Sequence, residues 1–336
     1  MAKVKLIDVA QLAGVSKSTV SQYLNGRFEY MSKETQARVR AAVDQLDFVP
    51  NPIARNLKAT KTKTIGVIVR DISGFYTSKA IRGIDDYCKA HCYHAVIYNT
   101  DFASETEATA LTALYQLRVD GIIIASSGNN PALIEQYIQK GMPIVQFQLE
   151  HDGTEKNIII SDYQQAAYAA TEYLIELGHR RIGFVTQDFK HVKSRNERYQ
   201  GYVAALHKHG IEQDPALIQY WDRETGFAHS IHHILQQGAP SVLFTQHLAI
   251  TTELLTELNA AGIVIPQDVS LLGFDEIPMA EFFKVPITVV QQEPYQIGQE
   301  AAKLLFSLVD KPTQAAQRIM VDCTMVKRDS CQKITG

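Results

Sequence analysis

The sequence predicts an α/β protein: a small all-helical head followed by a two-lobed body of doubly wound, largely parallel sheet. Three observations carry this reading. The net charge of −3 over 336 residues hides a split, because residues 1–64 hold 11 Lys and Arg against 5 Asp and Glu, leaving 22 against 31 for the rest. The first fifty residues show three short helical periods and no strand-like alternation. From Thr64 onward, near-continuous apolar runs alternate with longer helical periods. A chain of this length exceeds one ordinary core, so two or three domains are expected.

In the head, Leu6, Val9, Ala10 and Ala13 fall at i, i+3, i+4 and i+7, one face of a first helix. Gly14-Val15 breaks it, Gly permitting the turn and Val plugging the core beneath. Ser16 is the expected N-cap of a second helix, which Asn25-Gly26 stops. Ser32 caps a third, with Glu34 in its first turn and Val39, Ala42, Val43 and Leu46 on its apolar face. Two short helices joined by a tight turn and braced by a third form a helix-turn-helix.

The second helix, SKSTVSQYLN, has only Val20, Tyr23 and Leu24 to bury. Its remaining surface is polar, and the head around it is basic, which suits a helix lying in a DNA major groove. Ser16, Thr19, Ser21 and Asn25 are suited to phosphate oxygens, while Lys17, Ser18 and Gln22 face outward where they could reach base edges. A small helical bundle with a solvated polar face is the plain alternative.

The stretch IDVAQLAGVSKSTVSQYLNG, followed by VPNPIARNL, resembles the LacI/GalR family of bacterial transcription regulators, and the similarity runs over essentially the whole chain. It implies a sequence-specific DNA-binding regulator, acting as a repressor on a pseudo-palindromic operator. Where the family usually has Arg, this chain has Gln22. Arg favours guanine O6 and N7, whereas Gln pairs with adenine N6 and N7, so an A·T pair is expected opposite Gln22.

The next segment, VPNPIARNLKATKTKT, reads as a hinge: two prolines, four basic residues, and Ile53, Ala54 and Leu57 on one face of a short helix. So short a helix is marginal alone. The resemblance implies that it orders against its twin in a homodimer, with Ala54 and Leu57 over the minor groove and Leu57 as a wedge. A basic flexible linker is the plain alternative.

The body's apolar runs are TIGVIV, HAVIYN, DGIIIAS, PIVQF, NIIIS, RIGFVTQ, SVLFTQ and VSLLGFD, with helical periods at 163–177, 198–209 and 250–261 among them. Such runs mark parallel strands buried on both faces. Eight strands suit two lobes better than one sheet. The expected domains are 1–49 for the head, 50–63 for the hinge, 64–162 with 291–318 for one lobe, and 163–290 with 319–336 for the other. This organisation resembles the periplasmic-binding-protein-like body of the family, whose ligand lies between the lobes at the carboxyl ends of strands.

Those strand ends supply the candidate effector contacts. VRDISGFYTS offers Asp71, Ser73, Tyr76 and Thr77, matching the family's first effector loop with Gly74-Phe75-Tyr76-Thr77 in place of its usual Asn-Pro-Phe-Phe. SDYQQ offers Asp162. Arg198, with Gly201 and Tyr202 behind it, matches the family's effector-binding arginine, and Arg195 lies one turn earlier on the same face. A guanidinium there can fork onto a carboxylate or a pair of sugar hydroxyls. Trp221 matches an aromatic cleft position where a sugar or base could stack, with core packing the alternative. Asp275 in GFDE matches a carboxylate that accepts ligand hydroxyls, and Gln292 lies beside a crossover. Gln246-His247 replaces the family's usual Asn-Asp pair, exchanging a carboxylate for an imidazole.

With Arg195, Arg198, Lys79 and His247 facing inward, the cleft is expected to be positive and to favour a sugar acid or phosphorylated sugar. The stretch GFYTSKAIRGIDDYC is similar to regulators of ketodeoxygluconate and gluconate metabolism within the family. Neutral sugars and purines stay open as effectors.

Other classes find little support. There is no GxSxG elbow, Walker loop, GxGxxG or HExxH, so neither an enzyme nor a bound cofactor is expected. His229, His232 and His233 share a helix face, but no carboxylate or Cys completes a metal set at helical spacing. Four cysteines without CxxC spacing, no signal-like start and no long apolar run point to a cytoplasmic, nucleoid-associated protein with no membrane contact. A sugar-binding transport protein without a DNA role would share the body but not the basic head. The closing VKRDSCQKITG shows no heptads, so a dimer rather than a tetramer is expected.

Overall fold

Among the described residues, serine hydroxyls cap two of the three head helices. The computed structural model describes residues 4–48, 61–151, 156–190, 192–312 and 314–334. It divides into two units, Met1–Thr62 and Lys63–Gly336. In the first, α1 (Leu6–Ala13) ends at Gly14, whose φ of +64° is the left-handed conformation that a residue without Cβ adopts freely. The Val15 amide then returns to the Ala10 carbonyl at 3.0 Å, which closes the turn. Ser16 Oγ accepts the Thr19 amide at 3.1 Å to start α2 (Lys17–Leu24). Ser32 does the same for Thr35 at the start of α3 (Lys33–Gln45). Val9, Ala10, Ala13, Val20, Val39, Ala42 and Phe48 form the buried core. Helix α2 is anchored by Val20, with Tyr23 and Leu24 half-buried, so its polar face is left to solvent.

In the second unit, β1 (Thr64–Val69), β2 (His94–Asn99), β3 (Gly121–Ile124), β4 (Ile144–Phe147), β5 (Ile158–Ser161) and β12 (Arg318–Val321) build one all-parallel sheet in the order β12-β5-β4-β3-β1-β2. Helices α4 (Phe75–Ala90) and α11 (Pro294–Asp310) cover one face, burying Ile84, Ile297 and Leu305 against Val67 and Val145. On the other face α5 (Ser104–Gln116) and α6 (Pro131–Gln139) bury Leu111, Leu114 and Ile134 against Ile122 and Ile124.

The second sheet comprises β6 (Ile182–Thr186), β7 (Ile218–Asp222), β8 (Gly226–Phe227), β9 (Val242–Thr245), β10 (Ser270–Phe274), β11 (Thr288–Gln291) and β13 (Thr324–Val326), in the order β13-β11-β10-β9-β6-β7-β8. Its two ends are antiparallel and its centre parallel. Helices α7 (Tyr163–Glu176) and α8 (Lys193–Lys208) cover one face; α9 (Ile231–Gln236) and α10 (Leu248–Ala260) cover the other.

All eight expected apolar runs are strands, and β7, β8, β11, β12 and β13 are additional. β7 alternates buried and exposed residues, and β12 is a half-exposed edge, so neither reads as an apolar run. The chain passes between lobes after β5, after β11 and between β12 and β13. The return expected at residue 318 is therefore displaced. Arg318 to Val321 pair in register with Ile158 to Ser161, keeping 319–321 in the first sheet, and the crossing falls at Asp322 and Cys323. No helix among the described residues is long and apolar enough to cross a membrane.

Candidate functional site

Each sheet has a point where neighbouring strands diverge in chain order, and the carboxyl ends there face one cleft of about 670 Å³. That volume suits a small ligand. Arg70 and Asp71 follow β1, Tyr163 follows β5, Gln187 follows β6, Trp221 lies near the end of β7, His247 follows β9, and Asp275 follows β10.

Of the expected contacts, Asp71, Tyr76, Thr77, Arg195, Arg198, Trp221, His247, Asp275 and Gln292 line this cleft, as does Lys79. Three others do not. Ser73 is exposed and turns back, its hydroxyl donating to Asp71 Oδ1 at 2.6 Å. Asp162 is spent on the N-cap of α7, where it accepts the Gln165 amide at 3.1 Å. Gln246 is fully buried beneath the cleft floor. Its Oε1 accepts from Thr186 Oγ1 at 2.7 Å and its Nε2 donates to the Arg195 carbonyl at 3.1 Å, so it fixes the first turn of α8 instead of facing a ligand.

Arg198 is the most deeply held cation, 5% exposed. Its guanidinium lies over the Tyr163 ring at 3.7 Å and near the Phe274 ring at 4.5 Å. One Nη donates to the Ser194 carbonyl at 3.2 Å, and the buried Nε has no partner. Helix α8 is held from the first lobe as well. The buried Glu150 carboxylate receives Lys193 at 3.1 Å and Arg318 at 2.7 Å, and Arg318 also pairs with Glu197.

Asp275, also in the cleft lining, accepts from Gln292 Nε2 and from the Leu248 amide at 3.3 Å. Gln292 in turn accepts from Ser161 Oγ at 2.6 Å, linking the first two crossings. Burial pushes the Asp275 carboxyl above its ordinary range, and Arg198 opposes that rise.

The expected positive contribution of His247 is not found. Its Nδ1 accepts the Ile250 amide at 3.5 Å as the N-cap of α10, and Nε2 donates to Gln187 Oε1 at 2.9 Å. Burial, reinforced by the cleft arginines, drives its pKa well below the ordinary value. The imidazole is neutral near pH 7, and the positive character comes from the guanidiniums and Lys79.

Two of those went unread in the sequence. Arg70 and Arg223 line the cleft with Phe102, Gln187 and Glu253. The signal for Arg70 was its position directly after the β1 apolar run, and for Arg223 its place two residues past Trp221. Burial brings Arg70 and Arg195 each down to about 10; Arg223 adds to the shift of Arg70, and Arg70 and Arg198 add to that of Arg195. Trp221 is 5% exposed, its Nε1 donating to Glu253 at 2.7 Å and its ring edge-on to His247, so much of it serves as wall and core.

On the head, Lys17, Ser18, Ser21 and Gln22 are exposed along α2. Ser16 and Thr19 share a hydroxyl contact of 2.9 Å, and Asn25 Nδ2 donates to the Ser21 carbonyl at 2.8 Å. Those internal bonds fix the helix ends while leaving the outer face of α2 free. Ala54 and Leu57 lie outside the described residues.

Residues 5–51 match the sequence model for bacterial regulatory proteins of the lacI family, and residues 171–331 match that for the periplasmic binding protein-like domain. The curated protein "Probable HTH-type transcriptional regulator EndR" of Paenibacillus polymyxa is 32% identical over 311 residues, 91% of each chain. The "HTH-type transcriptional repressor PurR" of Vibrio atlanticus (strain LGP32) is 31% identical over 312 residues, 92% of each chain. A solved structure described as a transcriptional regulator CelR-cellobiose complex has a TM-score of 0.72 at 25% identity, covering 97% of this chain and 99% of that one.

Proposed function

Because the chain belongs to the lacI family of bacterial regulatory proteins, whose members are DNA-binding transcription regulators and not enzymes, we propose that it represses a carbohydrate catabolic operon under control of a sugar acid bound between the lobes. The observation that carries this reading is that Arg198 and Asp275 line the same cleft as a guanidinium and a carboxylate. The flat guanidinium, its Nε unpartnered, suits a carboxylate; Asp275 and Gln292 suit the hydroxyls of the same molecule. The relative solved with cellobiose supports a carbohydrate as the ligand class. The similarity of the α4 N-terminal stretch to regulators of ketodeoxygluconate and gluconate metabolism makes those acids the first to try.

On the DNA side, one short recognition helix offers too few base contacts for genomic specificity, so a homodimer on a pseudo-palindromic operator is the working form. Lys17, Ser18 and Gln22 read bases, while Ser16, Thr19, Ser21 and Asn25 contact phosphates. Ala54 and Leu57 serve the hinge. Effector binding is coupled to DNA affinity by roughly 1–3 kcal/mol.

The test is to incubate the purified protein with fragmented DNA from its own organism and sequence what it retains, with and without gluconate, ketodeoxygluconate and a nucleobase panel. A recurrent palindrome upstream of a catabolic operon, lost or gained with one sugar acid, is the expected result. A response to a nucleobase alone would overturn the effector class, and retention without a shared sequence would overturn operator recognition.

A further inference from the structure

Of the four cleft arginines, Arg198 rests on one set of rings and the pair Arg70 and Arg223 on another, and Arg195 is near enough to feel the charge of all three. Arg198 sits at the deep end, on Tyr163 and Phe274. At the mouth, Arg70 enters from the first lobe and Arg223, which is exposed, from the second. Both lean on one ring: the Phe102 centroid is 5.6 Å from the Arg70 guanidinium carbon and 4.2 Å from that of Arg223.

Among the described residues neither arginine forms an ion pair, and the carboxylate that acts on Arg70, the buried Glu107, is already bonded to Ser127 and Asn130. The buried Nε of Arg70 has no hydrogen-bond partner among the described residues. The carboxylates that line the cleft are engaged elsewhere. Asp71 holds Ser73, Glu253 holds Trp221, Asp275 holds Gln292, and Glu276 pairs with Arg328 at 2.8 Å. Two guanidiniums held against one ring repel each other, and burial of Arg70 sharpens that repulsion. Arg70 accordingly loses protons more readily than an ordinary arginine, through burial first and Arg223 second. An anion between the two would relieve both effects and accept donors from each lobe at once.

Resting on the sugar-acid reading, we propose that Arg70 and Arg223 form a second anion subsite at the cleft mouth, floored by Phe102, and that the effector is anionic at both ends. A carboxylate meets Arg198, and a phosphate or second carboxylate meets Arg70 and Arg223.

Calorimetric titration of the full chain with gluconate, 6-phosphogluconate, glucarate and inorganic phosphate tests this. One or both of the doubly anionic acids should bind at least about tenfold more tightly than gluconate. A preference for 6-phosphogluconate identifies phosphate as the second group, and a preference for glucarate identifies carboxylate. In Arg223→Gln, checked by its melting curve for an intact fold, that ratio should drop below about threefold. Equal affinity of all three acids for the wild type, or a ratio unchanged in Arg223→Gln, overturns the second subsite and leaves the sugar-acid reading standing. Failure of every sugar acid to bind overturns that reading instead, and inorganic phosphate then decides the subsite. Phosphate binding lost in Arg223→Gln upholds it; phosphate binding that is absent, or indifferent to the substitution, overturns it.

Discussion

Replacing Gly201 by Ala tests how the site is held in place. In an isolated helix the change would stabilise by about 1 kcal/mol, since Ala is the better helix former. Here the added Cβ would lie 2.2 Å from the Gln164 carbonyl oxygen and 2.8 Å from the Tyr168 amide, both in the backbone of α7. Neither atom can rotate away, so α7 and α8 must part by roughly 1 Å to restore ordinary contact. Overpacking of that kind costs about 3 kcal/mol, and the steric term wins by about 2 kcal/mol. For a unit of this size the melting temperature should drop by about 4–8 °C. Arg198 is three residues earlier on α8 and rests on Tyr163, the first residue of α7, at 3.7 Å. The same parting should lift it from that ring and weaken sugar-acid binding by about tenfold or more. Thermal unfolding and calorimetric titration of one preparation measure both effects. A melting temperature within about 1 °C of wild type would refute the packing argument. A large drop with unchanged affinity would refute the claim that this helix contact positions Arg198.

Three further expectations rest on other residues. His247, His179 and His151 all have depressed pKa values, chiefly through burial, so the unfolded chain takes up protons that the folded chain refuses. Their contribution is complete above the ordinary histidine value and is lost as pH falls below it. His247→Asn should therefore flatten the acid side of the stability curve by up to about 1.4 kcal/mol per pH unit, read from urea unfolding at several pH values; an unchanged slope would mean a charged imidazole. Trp221→Phe removes the donor to Glu253 and should lower stability by about 1.5–3 kcal/mol in denaturant unfolding, whereas an unshifted midpoint would show that bond to be idle. Gln22→Arg should move the preferred base pair from A·T to G·C in selected binding sites; sites of the unsubstituted protein that already carry an invariant G·C there would sink the adenine assignment.

The head was legible because its signals are local. Ser16, Gly14 and Ser32 do what their chemistry dictates within four residues of themselves. The parallel strands were legible because burial on both faces leaves runs such as TIGVIV with almost no polar interruption. The cleft was legible only where a strand end coincided with a known pattern. Gln246 illustrates the failure, since a polar residue at a strand end can face the ligand or brace the residue that does, and sequence does not separate the two. His247 shows another: its charge is decided by burial in the folded cleft, reinforced by arginines distant in sequence, at 198, 195, 223 and 70. Phe102 became visible only once the fold brought Arg70 and Arg223 onto its ring.

The three crossings between the lobes have a mechanical consequence. A pair of straps would leave the lobes free to twist about the line joining them, and the third strap, at Asp322 and Cys323, resists that torsion. What remains soft is bending across the straps, a single angular coordinate. Any molecule that draws the lobes together then orders one degree of freedom, and little of its binding free energy is lost to orientational entropy. The direction of the movement is also a property of the chain, so chemically different ligands would differ in how far they bend it and not in which way. A single proteolytic nick in one strap should leave the lobes attached yet add torsional play, which would separate closure itself from the stiffness that directs it.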